Sequence, residues 1–277
     1  MGDFVVAPAG VDDLGLIAQW AAAEGWLPGD GDERLFFPVD PGGFLVGRLD
    51  GLVVSSISAV RQGTGHGFLG FYLTAPDQRG RGYGLRTWQA GMRRLAGRHI
   101  GLDGVVAQQD NYRKSGFRHA WNNLRFRGTA RVQAAVPGTA PVDVRRLGFE
   151  DLAAYDRRFF PARRDTFLAL WISAPGHRAL AVLRDGKLAG LGVGRPAGPV
   201  VRIGPLHADT PEIAARLLGA LASGPVVLDV PDRNRDGVEL ARAAGLEQIS
   251  ETARMYTGEP PDIDVRGIYS VASLELG

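Results

Sequence analysis

The chain has 277 residues, of which 45% are hydrophobic and 22% are charged, and its formal net charge at pH 7 is +2. This length and hydrophobic content exclude a mainly disordered chain and predict either one large domain or two small ones. Because the chain has no cysteine, it has no disulfide, thiolate metal ligand or cysteine nucleophile. The five histidines lack metal-binding spacing, and the basic residues are interleaved with acids. We therefore expect no metal and no nucleic-acid partner.

Long hydrophobic runs are also absent from the sequence. No uninterrupted run approaches the roughly 18 residues that a membrane-spanning helix needs. The first ten residues, MGDFVVAPAG, contain an acid where a secretory signal would have basic residues. We therefore expect a cytoplasmic protein with no membrane partner.

Residues 1–128 predict the element order β-α-β-β-β-α-β-α-β. The predicted strands are hydrophobic runs bounded by turn residues, at Phe4–Ala7, Phe44–Leu49, Leu52–Val60, Gly67–Thr74, His99–Asp103 and Phe117–Phe126. The first helix opens at Asp12 and stops at Gly25, since acids favour the N-terminal end of a helix and glycine ends it. The second helix has one apolar face, made by Leu85, Trp88, Met92 and Leu95.

Residues 128–142 lose this periodicity and gain glycine, proline and alanine, which is typical of a linker. The same order of elements then begins again. The further strands are predicted at Val142–Arg145, Ala179–Leu183, Leu188–Val193, Val200–His207, Val226–Val230, Glu247–Tyr256 and, at the end, Ile268–Leu276. The further helices are predicted at Phe149–Phe160 and Ala162–Ile172, after the capping residue Thr210, and at Asp236–Ala244.

This repetition predicts an α/β protein in which one fold is used twice. We assign an N-terminal domain to residues 1–128, a linker to 129–142 and a C-terminal domain to 143–277. Each domain is expected to be a central twisted mixed β-sheet flanked by helices.

The segment RGRGYG, residues 79–84, lies between a predicted strand and a predicted helix. Glycines let successive backbone N–H groups turn toward one point, and the N-terminus of a helix adds a partial positive charge. Together these features predict a phosphate-binding loop. The nucleoside-triphosphate pattern GxxxxGK[ST] is absent, and Thr87 stands where the dinucleotide pattern GxGxxG needs its last glycine. A turn without function, in a chain with 39 glycines, is the alternative.

The loop also matches the pattern [RQ]-x-x-G-x-[GA], which resembles the pyrophosphate loop of the GNAT superfamily of N-acetyltransferases. The segment NYRKSGF, residues 111–117, is similar to the Y-x-x-x-G-F motif of that superfamily. The run LDGVVAQQDNYRKSGF and the ending ASLELG resemble tandem GNAT proteins of the YitH type, over nearly the whole length. This resemblance implies an N-terminal domain that uses acetyl-CoA as co-substrate and acetylates a small-molecule or amino-acid-like amine.

The resemblance also implies roles for residues of the first domain. The pyrophosphate would be held by Arg79, Gly80, Arg81, Gly82, Tyr83 and Gly84. The backbone of Leu73 and Thr74 would bind the pantetheine arm, and the Leu73 N–H would stabilise the oxyanion. Tyr112 would be the general acid that protonates the thiolate leaving group.

The sequence leaves open which group removes the proton from the amine. The strand at 67–74 contains no acid. The candidates are therefore Asp103, Asp110, Glu24 and Asp32, of which we take Asp110 as the working assignment. The loop Gly25–Asp40 is predicted to line the acceptor site. Its expected contacts are Trp26, Asp32 and Phe36, although the aromatic residues also suit a core, and Asp30 would join Asp32 in attracting a cationic amine.

The second half lacks both chemical features. Pro211 and Glu212 replace glycines at the corresponding loop, and a carboxylate there would repel a pyrophosphate. Ala241 stands four residues before Gly245, where the first half has its tyrosine. We therefore predict a degenerate second domain with a structural or substrate-shaping role. Two other functions stay open: a tandem acyltransferase with another donor or acceptor, similar to mycothiol synthases, and a CoA-binding sensor without turnover. Assembly as a homodimer also stays open.

Overall fold

The structure is a computed structural model that describes residues 2–132 and 140–277. The strands are β1 (Phe4–Pro8), β2 (Phe44–Leu49), β3 (Leu52–Gln62), β4 (His66–Thr74), β5 (His99–Val105), β6 (Phe117–Thr129), β7 (Val142–Asp143), β8 (Arg178–Arg184), β9 (Lys187–Ala197), β10 (Val200–Ala208), β11 (Pro225–Pro231), β12 (Glu247–Thr257) and β13 (Ile268–Ser270). The α-helices are α1 (Val11–Ala23), α2 (Asp32–Phe36), α3 (Tyr83–Arg94), α4 (Gln109–Lys114), α5 (Phe149–Asp156), α6 (Asp165–Ser173), α7 (Pro211–Leu221) and α8 (Arg235–Ala243). Of the predicted linker at 129–142, residues 133–139 lie outside the described residues.

These strands form one mixed sheet with the order β1-β2-β3-β4-β5-β12-β6-β11-β10-β9-β8-β7, and β13 pairs with β10. The strand order is symmetric: each strand from β1 to β6 has a counterpart from β7 to β12 at the same distance from the opposite edge of the sheet. The last long strand of each half is exchanged, since β12 pairs antiparallel with β5 and β6 pairs antiparallel with β11. The two exchanged strands also pair with each other at the centre of the sheet.

Buried ion pairs join the exchanged strands to their neighbours. Arg254 on β12 binds Asp103 on β5, with Nε–Oδ1 and Nη2–Oδ2 distances of 2.7 and 2.6 Å. At the matching positions, Arg125 on β6 binds Asp229 on β11 with a Nε–Oδ1 distance of 2.7 Å. Removing one partner of such a pair would leave a buried charge without compensation. The pairs therefore connect the two halves through buried charges on both sides of the exchange.

The main hydrophobic core also spans both halves. It contains α1, which buries Leu14 and Ile17, and residues of α6 from the second half. Phe36 on α2 stacks on Trp171 of α6 with ring centroids 5.5 Å apart. No α-helix among the described residues has both the length and the apolar character needed to span a membrane.

The predicted elements and their order are confirmed, although several ends shift by up to four residues; the helix predicted at Phe149–Phe160, for example, ends at Asp156. In three other segments the kind of structure differs. The segment predicted as the loop Gly25–Asp40 contains the short helix α2, which begins after the left-handed Gly31. The strand predicted at Val142–Arg145 ends at Asp143, where the chain enters a 3₁₀ turn. The strand predicted at Ile268–Leu276 ends at Ser270, because the following residues form a turn around the side chain of Ser273.

Candidate active site

A cavity of about 1100 Å³ opens where β4 and β5 separate. The two strands pair in parallel from His66–His99 to Leu69–Leu102, and their pairing ends there. The β3–β4 register shifts just beyond this point, and Phe71 takes a left-handed backbone conformation with a φ of 45°. This bulge bends the end of β4 and exposes its edge to the cavity.

Both halves of the chain build the walls of this cavity. The first half contributes β4, the loop before α3, the end of β5 and α4. The second half contributes Ser250 and Thr252 from the exchanged strand β12, together with Leu274 and Glu275 from the C-terminal segment. The cavity is therefore composite, and the first half alone does not enclose it.

The loop before α3 has the backbone of an anion site. Gly80 and Gly82 have φ values of 77° and 84°, and a Cβ on either residue would meet no atom within 4 Å. Glycine is favoured at both positions because of the left-handed backbone. Gly82 is the N-cap of α3, and no side chain satisfies the first N–H groups of that helix. These N–H groups are therefore free to bind a phosphate.

Four of the six predicted loop residues line the cavity: Arg79, Gly80, Gly82 and Gly84. Arg79 is already engaged, since its Nε donates to the Thr74 carbonyl oxygen at 3.1 Å and its guanidinium pairs with Glu24. Arg81 is exposed and does not line the cavity. Tyr83 is also outside, because its ring stacks on Phe4 with centroids 4.8 Å apart.

The hydrogen-bond pattern of the β3–β4 ladder bears on the predicted oxyanion donor. The Ala75 N–H donates to the Val54 carbonyl oxygen at 2.9 Å, so Ala75 and Val54 form a hydrogen-bonded pair. Leu73, two residues before Ala75, lies opposite Ser56. Because bonded and non-bonded pairs alternate in an antiparallel ladder, the Leu73 N–H points at β3 and the Thr74 N–H points away from it. This corrects the sequence-based assignment: Leu73 lines the cavity, but its N–H is directed at β3.

Tyr112 on α4 lines the cavity as expected. Its ring packs against Gly104 on β5, where a Cβ would lie 2.2 Å from Tyr112 Cε2. Trp88 packs against the ring at a centroid distance of 5.5 Å. Burial, with a smaller effect of Tyr72, raises the pKa of Tyr112 to about 12. The phenol therefore stays protonated over the neutral and mildly alkaline range, as a proton donor must.

None of the acids named from the sequence is free in the cavity. Asp110 is 85% exposed, pairs with Arg113 at 2.6 Å and does not line the cavity, which corrects its assignment as base. Asp103 lines it, but its oxygens accept hydrogen bonds from Arg254 and Asn123. Glu24 also lines it and is paired with Arg79.

The predicted acceptor loop is held by β6 of the first half and by β9 and its turn in the second half. Trp26 lines the cavity, and its carbonyl oxygen accepts a hydrogen bond from Arg125 at 2.6 Å. Asp32 is fully buried and bound by Arg195, while Asp30 accepts from the Gly198 N–H. These carboxylates attach the loop to β9 and its turn, so they are unavailable to an amine. Phe36 is also fully buried in the core and away from the cavity.

Sequence reasoning missed the cavity residues that come from the second half. Strand exchange is non-local, and the order of elements along the chain does not show it. One signal was present: both halves have a Leu-Asp pair in the fifth strand, at Asp103 and Asp229, and an arginine in the last strand. A second signal was Glu275, an acid within the mostly apolar ending ASLELG.

The matching opening of the second half is filled by the chain itself. β10 and β11 pair in parallel only from Val201 to Ile203, and β10 then changes register, as β4 does. β13 lies in the gap that follows, where Val271 N–H donates to the Asp229 carbonyl oxygen at 2.9 Å. Residues 75–82 separate β4 from α3, whereas Asp209 and Thr210 alone separate β10 from α7. The second half thus has neither the gap nor the glycine loop.

Two family models match the chain in separate regions. The model described as the acetyltransferase (GNAT) family matches residues 14–117, and the model described as the acetyltransferase (GNAT) domain matches residues 152–270. The first region includes β4, the loop before α3, β5 and α4, and the second includes β10, α7, β11 and α8.

One similar protein matches nearly the whole chain, and a second matches a part of it. A holothin acyltransferase from Pseudoalteromonas sp. (strain SANK 73390) is 32% identical over 276 residues, which cover 98% of this chain and 93% of that protein. The uncharacterized N-acetyltransferase YitH of Bacillus subtilis (strain 168) is 26% identical over 174 residues, or 60% of each protein.

A solved structure has the same fold. The crystal structure of a proposed acetyltransferase from Pyrococcus horikoshii has a TM-score of 0.84 and 20% identity, and the match covers 99% of this chain and 96% of that one. The two family matches, the full-length relative and this fold lead to one conclusion. The chain belongs to the GNAT family of acyltransferases and contains two GNAT domains in tandem.

Proposed function

We propose that the chain transfers an acetyl group from acetyl-CoA to the primary amine of a small molecule, at the cavity of the first half. One observation carries the proposal: the uncapped N-terminus of α3 and the phenol of Tyr112 line the same cavity. The name of the holothin acyltransferase, which matches along 98% of this chain, supports acyl transfer.

The residues present fit an acyl-CoA. The pyrophosphate would bind the backbone of Gly80 and Gly82 and the first N–H groups of α3. The pantetheine arm would extend along the cavity edge of β4 and bond to the outward-facing Thr74 N–H. The N–H of Tyr72, two residues earlier in the bulge, would then lie beside the thioester oxygen and replace Leu73 as the oxyanion donor.

The transfer consists of one attack and one collapse in a ternary complex. The neutral amine nitrogen attacks the thioester carbonyl carbon, and the bulge N–H stabilises the oxygen that becomes negative. The C–S bond then breaks, and the departing sulfur takes the phenolic proton of Tyr112. The phenolate regains the proton that the nitrogen loses as the amide forms, so Tyr112 returns to its neutral state.

A thiol-release assay tests the function. Acetyl-CoA is incubated with the chain and a panel of primary amines: tryptamine, tyramine, spermidine, glucosamine and holothin. We expect at least one amine to release free CoA thiol well above the rate without amine. Propionyl-CoA and hexanoyl-CoA, run in parallel, measure the preference for the acyl group. If acetyl-CoA raises the melting temperature but no amine releases thiol with any donor, the chain is a CoA-binding sensor and the proposal is wrong.

A further inference from the structure

We propose that Glu275, in the C-terminal segment of the second half, binds the acceptor ammonium and removes its proton in the first half's cavity. This inference rests on the proposed function and adds the base that the sequence left open. It also gives the second half a direct chemical task.

The carboxylate of Glu275 is buried without a partner for one of its oxygens. The residue lines the cavity and is 3% exposed, and its Oε2 is buried with no hydrogen-bond donor in reach. A buried carboxylate oxygen without a donor is costly, and most buried polar groups in proteins are satisfied. An ammonium ion bound in the cavity would supply the missing donor.

The backbone holds Glu275 directly against the bulge of β4. A Cβ on Gly70, the residue before the left-handed Phe71, would lie 2.2 Å from the Glu275 carbonyl oxygen. The Ser273 hydroxyl accepts the Glu275 N–H at 3.1 Å. This close approach fixes the segment beside the stretch of β4 that would hold the thioester.

The residues that follow Glu275 are also fixed. Arg164 donates to the Gly277 carbonyl oxygen at 2.7 Å, and two hydrogen bonds of 2.8 Å anchor Arg164 to the buried Asp156. The backbone on both sides of Glu275 is thus held by hydrogen bonds.

The other carboxylates of the cavity are occupied by protein donors. Asp229 accepts hydrogen bonds from Arg125 and Arg202, and Asp103 accepts from Arg254. Glu24 is paired with Arg79, and Glu251 accepts from Asn122 at 3.1 Å. Among the cavity-lining carboxylates of residues 2–132 and 140–277, Glu275 alone has a buried oxygen without a donor.

The charges around Glu275 come from five strands. Arg125 on β6, Arg202 on β10 and Asp103 on β5 interact electrostatically with Glu275. Asp229 on β11 pairs with both of these arginines, and Arg254 on β12 pairs with Asp103. Burial opposes the ionisation of Asp229, but Arg125 and Arg202 outweigh it and lower the pKa of its carboxyl to about 2. One carboxylate, that of Asp229, therefore pairs with two arginines.

The proton transfers balance with this residue as the base. The acceptor enters as an ammonium, and one N–H proton moves to a Glu275 carboxylate oxygen, which leaves a neutral amine for the attack. After CoA departs, Glu275 releases that proton to water. The second proton that the nitrogen loses replaces the one that Tyr112 gave to sulfur. The net reaction converts an ammonium and an acyl-CoA into an amide, a thiol and one free proton.

The test compares Glu275→Gln with Glu247→Gln, an isosteric change at an exposed site on β12 outside the cavity. Wild type is first assayed with the five amines above, and the best one is used from pH 6 to 9.5. We expect Glu275→Gln to lower kcat/KM at pH 7 by about 10²–10⁴-fold, the usual contribution of a general base. Its rate should rise about tenfold per pH unit below the pKa of the amine, while the Kd for acetyl-CoA changes less than twofold. Glu247→Gln should behave as wild type.

Chemical rescue gives a second readout. The Glu275→Ala variant leaves a space the size of a small carboxylate, and added sodium formate should restore part of its activity. Wild-type-like rates and an unchanged pH profile in Glu275→Gln would overturn the assignment while the proposed function stands. So would a parallel loss of folding, CoA affinity and activity without rescue, because it would show that Glu275 only balances Arg125 and Arg202. A wild type that acetylates none of the amines would overturn both proposals.

Discussion

The two halves of the chain have the same scaffold and different openings in it. Gly70 and Phe71 of β4 correspond to Gly204 and Pro205 of β10, and both strands change register there. In the first half the gap beyond this point is a cavity, whereas in the second half β13 fills it. The scaffold alone therefore does not make a site. Under the proposed function, the loop before the helix and the content of the gap would decide whether acyl-CoA binds.

The two halves also differ at the position of Tyr112 and at the strand residue that its ring packs against. In the first half Gly104 leaves room on β5 for the ring of Tyr112. In the second half Val230 and Ala241 stand at these positions, so the side-chain volume moves from the helix to the strand. The second half has instead become the partner of the first: its exchanged strand and its C-terminal segment form walls of the cavity.

The largest effect is expected when the exchange itself is disrupted. Arg254→Met leaves Asp103 buried without its cation and should lower the free energy of unfolding by about 3–5 kcal/mol. The matched control is Arg113→Met, which breaks the exposed pair with Asp110 and should cost at most about 1 kcal/mol. Urea denaturation followed by circular dichroism measures both. Similar losses in the two variants would mean that the exchanged ion pairs do not hold the halves together.

The next effect concerns the chemistry that distinguishes the halves. Tyr112→Phe removes the proton donor and leaves the ring packed on Gly104, so kcat should fall about 10²-fold or more while the Kd for acetyl-CoA is unchanged. Tyr155→Phe, in the second half, removes a hydroxyl that donates to Asp209 and should leave kcat unchanged. Steady-state kinetics and calorimetric titration separate the two constants. A Tyr112→Phe enzyme with full kcat would remove the general-acid role.

A smaller effect is expected at the glycine loop. Gly82→Ala forces a left-handed alanine into the N-cap of α3, at a strain of about 1–2 kcal/mol. The N–H groups that would bind the pyrophosphate should shift, and the Kd for acetyl-CoA should rise about tenfold. Gly186→Ala imposes the same strain in the β8–β9 turn, where φ is 73° and no atom would touch the Cβ. That control should lose similar stability without losing affinity; equal affinities for the two variants would disprove the loop's role.

The last prediction is that the kcat of the wild type does not change as the pH rises into the alkaline range. Burial raises the pKa of Tyr112 to about 12, so its proton is lost only as the pH rises through that value. The kcat of the wild type should therefore show no decline between pH 8 and pH 10. A kcat profile that falls with an apparent pKa near 9 would show that Tyr112 ionises too early to serve as the acid.

Local patterns predicted much of the fold from the sequence. Phe44–Leu49 is a strand with the predicted bounds, and Thr210 caps α7 by accepting the Ile213 N–H. These elements depend on hydrophobic periodicity, turn residues and helix caps within a few neighbours. The pairing of β12 with β5 depends on residues about 150 positions apart, which no local pattern contains.

The residues of the site that belong to short sequence motifs were predictable, and those that depend on tertiary contacts were not. The glycine loop and Tyr112 belong to short motifs that lie on one turn or one helix, and both line the cavity. Asp32 looked like an acceptor contact because it is an acid in a long loop. Its partner, Arg195, lies 163 residues away on β9, and the buried ion pair between them is tertiary information. Glu275 was missed for the same reason.

We propose that one chain has one acyl-CoA site, in its first half. Isothermal titration of the full chain with acetyl-CoA tests it most directly, with wild type and Gly82→Ala measured side by side. We expect a stoichiometry of one acetyl-CoA per chain and a weaker Kd in the variant. A stoichiometry of two, or a single site that Gly82→Ala leaves untouched, would contradict it.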